Sequence, residues 1–253
     1  MQTLTGRTCI IAGGSGGDGV DTVKALCAGG MNVVMLTHQI AQAQELLDAA
    51  ASAGYPGACV AMEGVNGPAE QDPEVMRAIA DRFGSIDVVV ANTGTDGVRD
   101  DIETLDVEQL MRSIGHLAGG GFSMMQTALP YLKKSRAPRV IFMTTVEGIS
   151  GGTHESFANA VAKGAVQSLC VNAAARLARY GITVNCIAKG AIPRTVGYIE
   201  PDAPRPEELL ERIPLGRIGS PEDLAQAVCW LASEESAFVT GQTLYVAGGL
   251  QLG

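Results

Sequence analysis

The chain has 253 residues, 46% of them hydrophobic and 18% charged, with a formal net charge of −9. That length suits one large domain whose apolar core needs no disulfide or metal staple. An acidic surface repels phosphate backbones and anionic lipids, so neither nucleic acid nor membrane is an expected partner.

In chain order, short β-branched runs alternate with longer helical stretches. Strands are predicted at Thr8–Ala12, Asn32–Leu36, Ala58–Met62, Ile86–Ala91, Arg139–Thr144, Ile182–Ala188 and Thr243–Val246. They are almost wholly apolar, as expected of strands covered on both faces of a parallel sheet. Helices are predicted near 17–29, 39–53, 69–83, 105–134, 155–180 and 221–233. This alternation predicts a single α/β domain: a Rossmann-like, doubly wound parallel sheet of about seven strands with helices on both faces. Gly119-Gly120-Gly121 is poor helix interior, so a kink or loop is expected there. The six cysteines form no CxxC pair and mostly lie in apolar runs, which suits reduced, buried thiols. With no charged-then-apolar leader before Thr8 and no long uncharged apolar stretch, a cytoplasmic location is expected.

Two segments stand out for function. The first strand runs into Ala12-Gly13-Gly14-Ser15-Gly16-Gly17-Asp18-Gly19 and then directly into a helix. Glycines let the backbone approach a pyrophosphate closely, and a helix N-terminus offers it unpaired N–H groups. The second is 192–212, where Pro193, Pro201, Pro204 and Pro206 lie among polar residues after a strand's carboxyl end. Ligands bind at such ends, so this stretch reads as a substrate lid, with a proline-stiffened surface excursion as the plain alternative.

Several motifs in order resemble the short-chain dehydrogenase/reductase family over essentially the whole chain. Gly13, Gly17 and Gly19 match its TGxxxGxG loop, and Ala91-Asn92-Thr93-Gly94 resembles its NNAG motif. Phe122-Ser123-Met124-Met125-Gln126 and Ala128-Leu129-Pro130 resemble its long fourth helix. Lys163-Gly164-Ala165-Val166 resembles the end of YxxxKxAV, and Val184-Asn185-Cys186-Ile187 with Gly190 resembles VNxIxPG. Leu215-Gly216-Arg217, Pro221-Glu222-Asp223, Thr240-Gly241-Gln242 and Gly248-Gly249 resemble its C-terminal signature. The resemblance implies an NAD(P)-dependent oxidoreductase acting on a small organic alcohol or ketone. It implies a dimer or tetramer built through the fourth and fifth helices.

The match departs from the family where the chemistry lies. The family's general acid/base is a tyrosine four residues before the lysine, and here that residue is Asn159. An amide orients a ligand but has no titratable proton near neutrality. The family's serine reads as Thr145, before Val146-Glu147-Gly148. Its fourth-helix asparagine aligns with Leu117, or with His116 if one residue is inserted. His116 and His154 are therefore candidates to supply the missing proton transfer, with Glu147 and Tyr198 as outside candidates; an ordinary loop or helix-end role is the alternative for each histidine. The expected catalytic set is Thr145, Asn159, Lys163, His116 and His154.

For the nucleotide, the resemblance implies Gly13, Ser15, Gly17, Asp18, Gly19, Thr37, His38, Val65, Asn92, Gly94, Lys163, Gly190 and Ile192. Thr37 stands where NAD-preferring members carry an acid, which favours NADP(H) over NAD(H), with His38 able to approach a 2′-phosphate. Gly64-Val65-Asn66-Gly67 replaces the family's DVxD. Asp18 has two readings: beside the pyrophosphate it weakens binding, or it points outward and complements the helix dipole. Two alternatives to the oxidoreductase remain: a repurposed scaffold with lyase, isomerase or dehalogenase-like chemistry, and a catalytically silent nucleotide-binding subunit.

Overall fold

A computed structural model describes residues 4–64, 73–94, 100, 102–150, 156–193 and 207–252. Strands and helices alternate: β1 Thr8–Ala12, α1 Gly19–Ala28, β2 Asn32–Thr37, α2 Ile40–Ser52, β3 Cys59–Glu63, α3 Pro73–Phe83 and β4 Val88–Ala91. Then come α4 Val107–Ile114, α5 Gly120–Leu132, β5 Arg139–Thr145, α6 Glu147–Ser150, α7 Phe157–Leu177, β6 Thr183–Lys189, α8 Glu207–Glu211, α9 Pro221–Ala232 and β7 Thr243–Val246. The seven strands pair in the order β3-β2-β1-β4-β5-β6-β7, every pair parallel. The order reverses between β1 and β4, and the crevice outside the carboxyl ends at such a point is where sheets of this kind take ligands.

Residue alternation sends neighbouring side chains to opposite faces. Ile10, Val34, Val89, Val140, Phe142 and Val184 pack with α3, α5 and α7. Cys9, Ile11, Val33, Val90, Ile141 and Ile187 pack with α1, α2 and α9. The strands therefore read as unbroken apolar runs. At the amino end of the sheet, Asp87 accepts from the Thr8 amide at 2.8 Å and from the Ser85 and Ser135 hydroxyls, which keeps β1, β4 and the start of β5 in line.

Local chemistry starts the helices. Ser156 caps α7 by accepting from the Asn159 amide at 3.1 Å. Ser220 and Asp223 form a reciprocal capping box on α9, with Pro221 in its first turn. The stretch expected to kink at its glycines is instead one continuous helical run. A π turn over Gly115–Gly119 joins α4 to α5. Gly121 lies in α5 where a Cβ would come within 3.1 Å of the Phe142 ring, so glycine lets the helix sit close on the sheet.

The short helices α6 and α8 were not anticipated by periodicity, which needs more than one turn to show. Of the expected lid, 194–206 lies outside the described residues, and 207–211 is helical. Among the described residues, no helix is long and apolar enough to cross a membrane.

Candidate active site

The glycine loop is folded tightly against β4. Gly13 has φ +72°, and a Cβ on it would lie 1.9 Å from the Asn92 carbonyl oxygen. A Cβ on Gly19 would lie 2.0 Å from the Gly13 carbonyl oxygen, so the first turn of α1 stacks directly on the loop's first residue. The Asn92 amide group donates to the Gly13 carbonyl at 3.4 Å. Gly17 also has positive φ, and Gly16 has open space around it apart from Gln42 at 3.7 Å. The Ser15 and Thr37 hydroxyls lie 3.1 Å apart, and Thr37 accepts from the Gln39 amide at 3.0 Å, tying the loop to the end of β2. His38, the next residue, is exposed.

Of the two readings of Asp18, the structure contradicts the outward one. Its carboxylate does not point outward to the helix dipole, and it makes no side-chain cap on α1. Only 4% exposed, it turns inward and accepts from the Lys189 ammonium at 2.6 Å and from the Asn92 amide at 3.1 Å. An unpaired buried carboxylate is costly, so the side chain goes where a cation and an N–H donor meet it. Burial by itself would raise the Asp18 pKa. The Lys189 charge and hydrogen bond, the Asn92 hydrogen bond and the Lys163 charge outweigh it and hold the carboxyl below its ordinary value. This lowering means that the folded state gains stability from Asp18 above the unfolded value of about 3.9 and loses it as the pH falls through the folded value. Asp18→Asn leaves Lys189 buried without its counter-charge, so it should cost about 3–5 kcal/mol at pH 7. The gap from the parent should narrow in acid, as read by denaturant melts across pH.

Lys189 was not anticipated as a site residue. The one available signal is that it occupies the proline position of the VNxIxPG motif. Its partner lies 171 residues away in sequence.

Lys163 reaches the same crevice from α7. Its ammonium, on a residue 3% exposed, donates to the Thr93 carbonyl at 3.2 Å and the Met143 carbonyl at 3.3 Å. The Thr144 hydroxyl donates to the Lys163 carbonyl at 2.9 Å, fixing β5 against α7. Thr145 is buried, and its hydroxyl has no hydrogen-bond partner among the described residues. It pairs in register with Lys189 on β6. Asn159 is buried one turn before Lys163, and Glu147 is buried on α6.

His116 lies within the π turn, half-buried, with Nε2 3.2 Å from the Gly94 carbonyl. Leu117 is 1% exposed in the core, so the inserted residue leaves the histidine on the β4 side of the crevice. Gly190 packs against Ala247, where a Cβ would lie 2.7 Å from the alanine's own, and Ile192 is buried in the core. Val65, His154 and Tyr198 lie outside the described residues. The structure thus gathers Gly13, Asp18, Asn92, Gly94, Thr145, Asn159, Lys163 and His116 around the carboxyl ends of β1, β4 and β5, with Ser15, Thr37 and His38 at the end of β2.

Residues 15–251 match the family profile described as Enoyl-(Acyl carrier protein) reductase. The chain belongs to the short-chain dehydrogenase/reductase family. It is 32% identical to the 3-oxoacyl-(acyl-carrier-protein) reductase of Thermotoga maritima, over 98% of each chain. It is 33% identical to 3beta-hydroxysteroid dehydrogenase 1 of Eggerthella lenta, over 98% of this chain and 95% of that one. Among solved structures, levodione reductase superposes with a TM-score of 0.89 at 25% identity, covering 98% of each chain. A 3-oxoacyl-(acyl-carrier protein) reductase of Brucella melitensis with bound NAD superposes at 0.83, with 26% identity over 98% of this chain and 92% of that one. As a family member, the chain is an NAD(P)-dependent oxidoreductase by type.

The residues present fit a dinucleotide. The loop from Gly13 to Gly19 leads straight into the α1 N-terminus and has open space at Gly16. The Thr145 hydroxyl is a buried polar group awaiting a partner, and the one acid in the loop is already neutralised by Lys189.

Proposed function

We propose that this enzyme interconverts a small organic alcohol and its ketone with NADP(H) in preference to NAD(H), through a proton relay that lacks the family's tyrosine. The observation that carries this is that Lys163 and the Thr145 hydroxyl, which has no partner among the described residues, both lie at the carboxyl ends of β4 and β5 on the side of the glycine loop. A bound nicotinamide nucleotide supplies the hydride chemistry. Lys163 holds the ribose end through an ammonium already fixed on two carbonyls. Thr145 and Asn159 orient the substrate oxygen by hydrogen bonding.

Asn159 stands four residues before Lys163, at the tyrosine position, and has no proton to give. The proton then moves through an imidazole: His116 from the π turn, or His154. His116 is supported by its place against Gly94, since a π turn commonly marks a functional position in a helix. NADP(H) is supported by Thr37, which puts no negative charge at the end of β2, and by the exposed imidazole of His38 beside it. Relatives whose names span 3-oxoacyl groups and hydroxysteroids support the reaction type across unlike substrates, and the 192–212 segment is our candidate for the selecting lid. Exposed Val107 and Met111 on α4, with Phe157, Val161 and Val171 on α7, support assembly of like chains.

A second reading is favoured by one observation: Asn159 removes the titratable proton at the tyrosine position, which suits a scaffold with non-redox chemistry or a silent nucleotide-binding subunit. A melting titration with NAD+, NADH, NADP+ and NADPH separates the cases. Binding at 100 times Kd should add about 2.7 kcal/mol, a shift of several degrees for a domain of this size. The expected result is a shift, larger with NADPH than with NADH. No shift with any of the four overturns the dehydrogenase.

A further inference from the structure

A carboxylate in a loop built to meet a diphosphate is unfavourable unless its charge is cancelled. In this chain it is cancelled from a strand two places beyond β4. Asp18 ends the loop between β1 and α1 and Lys189 ends β6, so their contact spans the carboxyl ends of the intervening β4 and β5. Both carboxylate oxygens are used, one by Lys189 and the other by Asn92. Lys163 is close enough to act on the same carboxylate by its charge, while its ammonium donates to the Thr93 and Met143 carbonyls. Lys189, 7% exposed, is a cation in direct hydrogen-bonded contact with Asp18.

Resting on the dinucleotide reading above, we propose that Lys189 determines affinity for anionic nucleotides. It cancels the charge of Asp18, so the two residues act as one neutral unit beneath the glycine loop. Across Asp18, Lys189 and Lys163 the formal charges are one negative and two positive, a net positive crevice. Without Lys189 the three become neutral, with the negative group in the loop itself. Without Asp18 the net charge rises and an ammonium is released toward any phosphate. The two single changes therefore have opposite effects on a charged ligand and little effect on a neutral one. A purely structural ion pair would weaken both kinds of ligand together, whichever partner was removed.

The test compares the parent with Asp18→Asn, Lys189→Gln and the double variant by titration calorimetry with NADPH, ADP and adenosine. ADP and adenosine share a base and sugar and differ in the diphosphate. Lys189→Gln is expected to weaken ADP and NADPH by about tenfold, and Asp18→Asn to tighten ADP several-fold, the size expected of a unit charge at a few ångströms in a partly screened site. The double variant should return near the parent, and adenosine should bind alike in all four. If Lys189→Gln does not fold, Asp18→Asn and the double variant still decide the matter. Parallel changes in ADP and adenosine, or an Asp18→Asn that fails to tighten ADP, overturn the proposal while leaving the dehydrogenase reading in place. A parent that binds neither ADP nor NADPH overturns both.

Discussion

Gly13→Ala is expected to lose about 3–5 kcal/mol of stability and to bind no nucleotide, whereas Gly84→Ala should lose only about 1 kcal/mol. Both glycines have positive φ, +72° and +83°, so the backbone strain of a Cβ is similar. Their surroundings differ. Nothing lies within 4 Å of a Cβ at Gly84. At Gly13 the same atom would overlap the Asn92 backbone carbonyl at 1.9 Å, and Asn92, directly after β4, is held by its own N–H donating to the Ala12 carbonyl at 3.2 Å. The loop must lift off β4, which breaks the Asn92 contact to Gly13 and strains the Asn92 bond to Asp18. Denaturant melts of the two variants, with nucleotide titrations alongside, measure the difference directly. Equal losses at the two positions would show that the close packing of loop on strand matters little.

Lys163→Met is expected to lower kcat/KM by about a thousandfold, and Lys163→Arg to rescue little of it. The ammonium is a point donor to the Thr93 carbonyl, just past β4, and to the Met143 carbonyl within β5. A guanidinium is planar and larger, and this position is 3% exposed. Methionine fills the volume while removing the charge and the donors. A variant that keeps its melting temperature but loses turnover places the loss in the site; a variant within threefold of the parent removes Lys163 from the mechanism.

Much of the fold was legible in the sequence. The runs at Thr8–Ala12 and Thr243–Val246 match β1 and β7 residue for residue; in β1 this is because apolar side chains on both faces mark a buried parallel strand, whereas β7 is a half-buried edge strand. Strand ends elsewhere moved by a residue or two, as at β6, expected from Ile182 and found from Thr183 to Lys189. That shift brings Lys189 into the strand, where it pairs with Thr145.

The site was legible only in part. Glycine positions and Lys163 announce themselves by motif, although the contacts they serve, such as Gly13 with Asn92 and Lys163 with Thr93, are distant in sequence. The ambiguity between Leu117 and His116 was visible as one surplus residue, and the π turn is how the helix absorbs it. The union of Asp18 with Lys189 was not legible, because nothing local to either residue points to the other.

That surplus residue also bears on how the helix could change. An α-helix advances by 100° per residue, so one added residue shifts the phase between the stretches on either side of it. Here α4 packs along α7 while α5 lies on β4 and β5, and the π turn lets each half keep its own face. Deleting a single residue from Gly115–Gly119 would force a choice: either α4 rolls off α7, or α5 rotates its glycine away from Phe142. The turn acts as a phase joint between a surface face and a core face, so a length change of one residue there is felt across the whole helix.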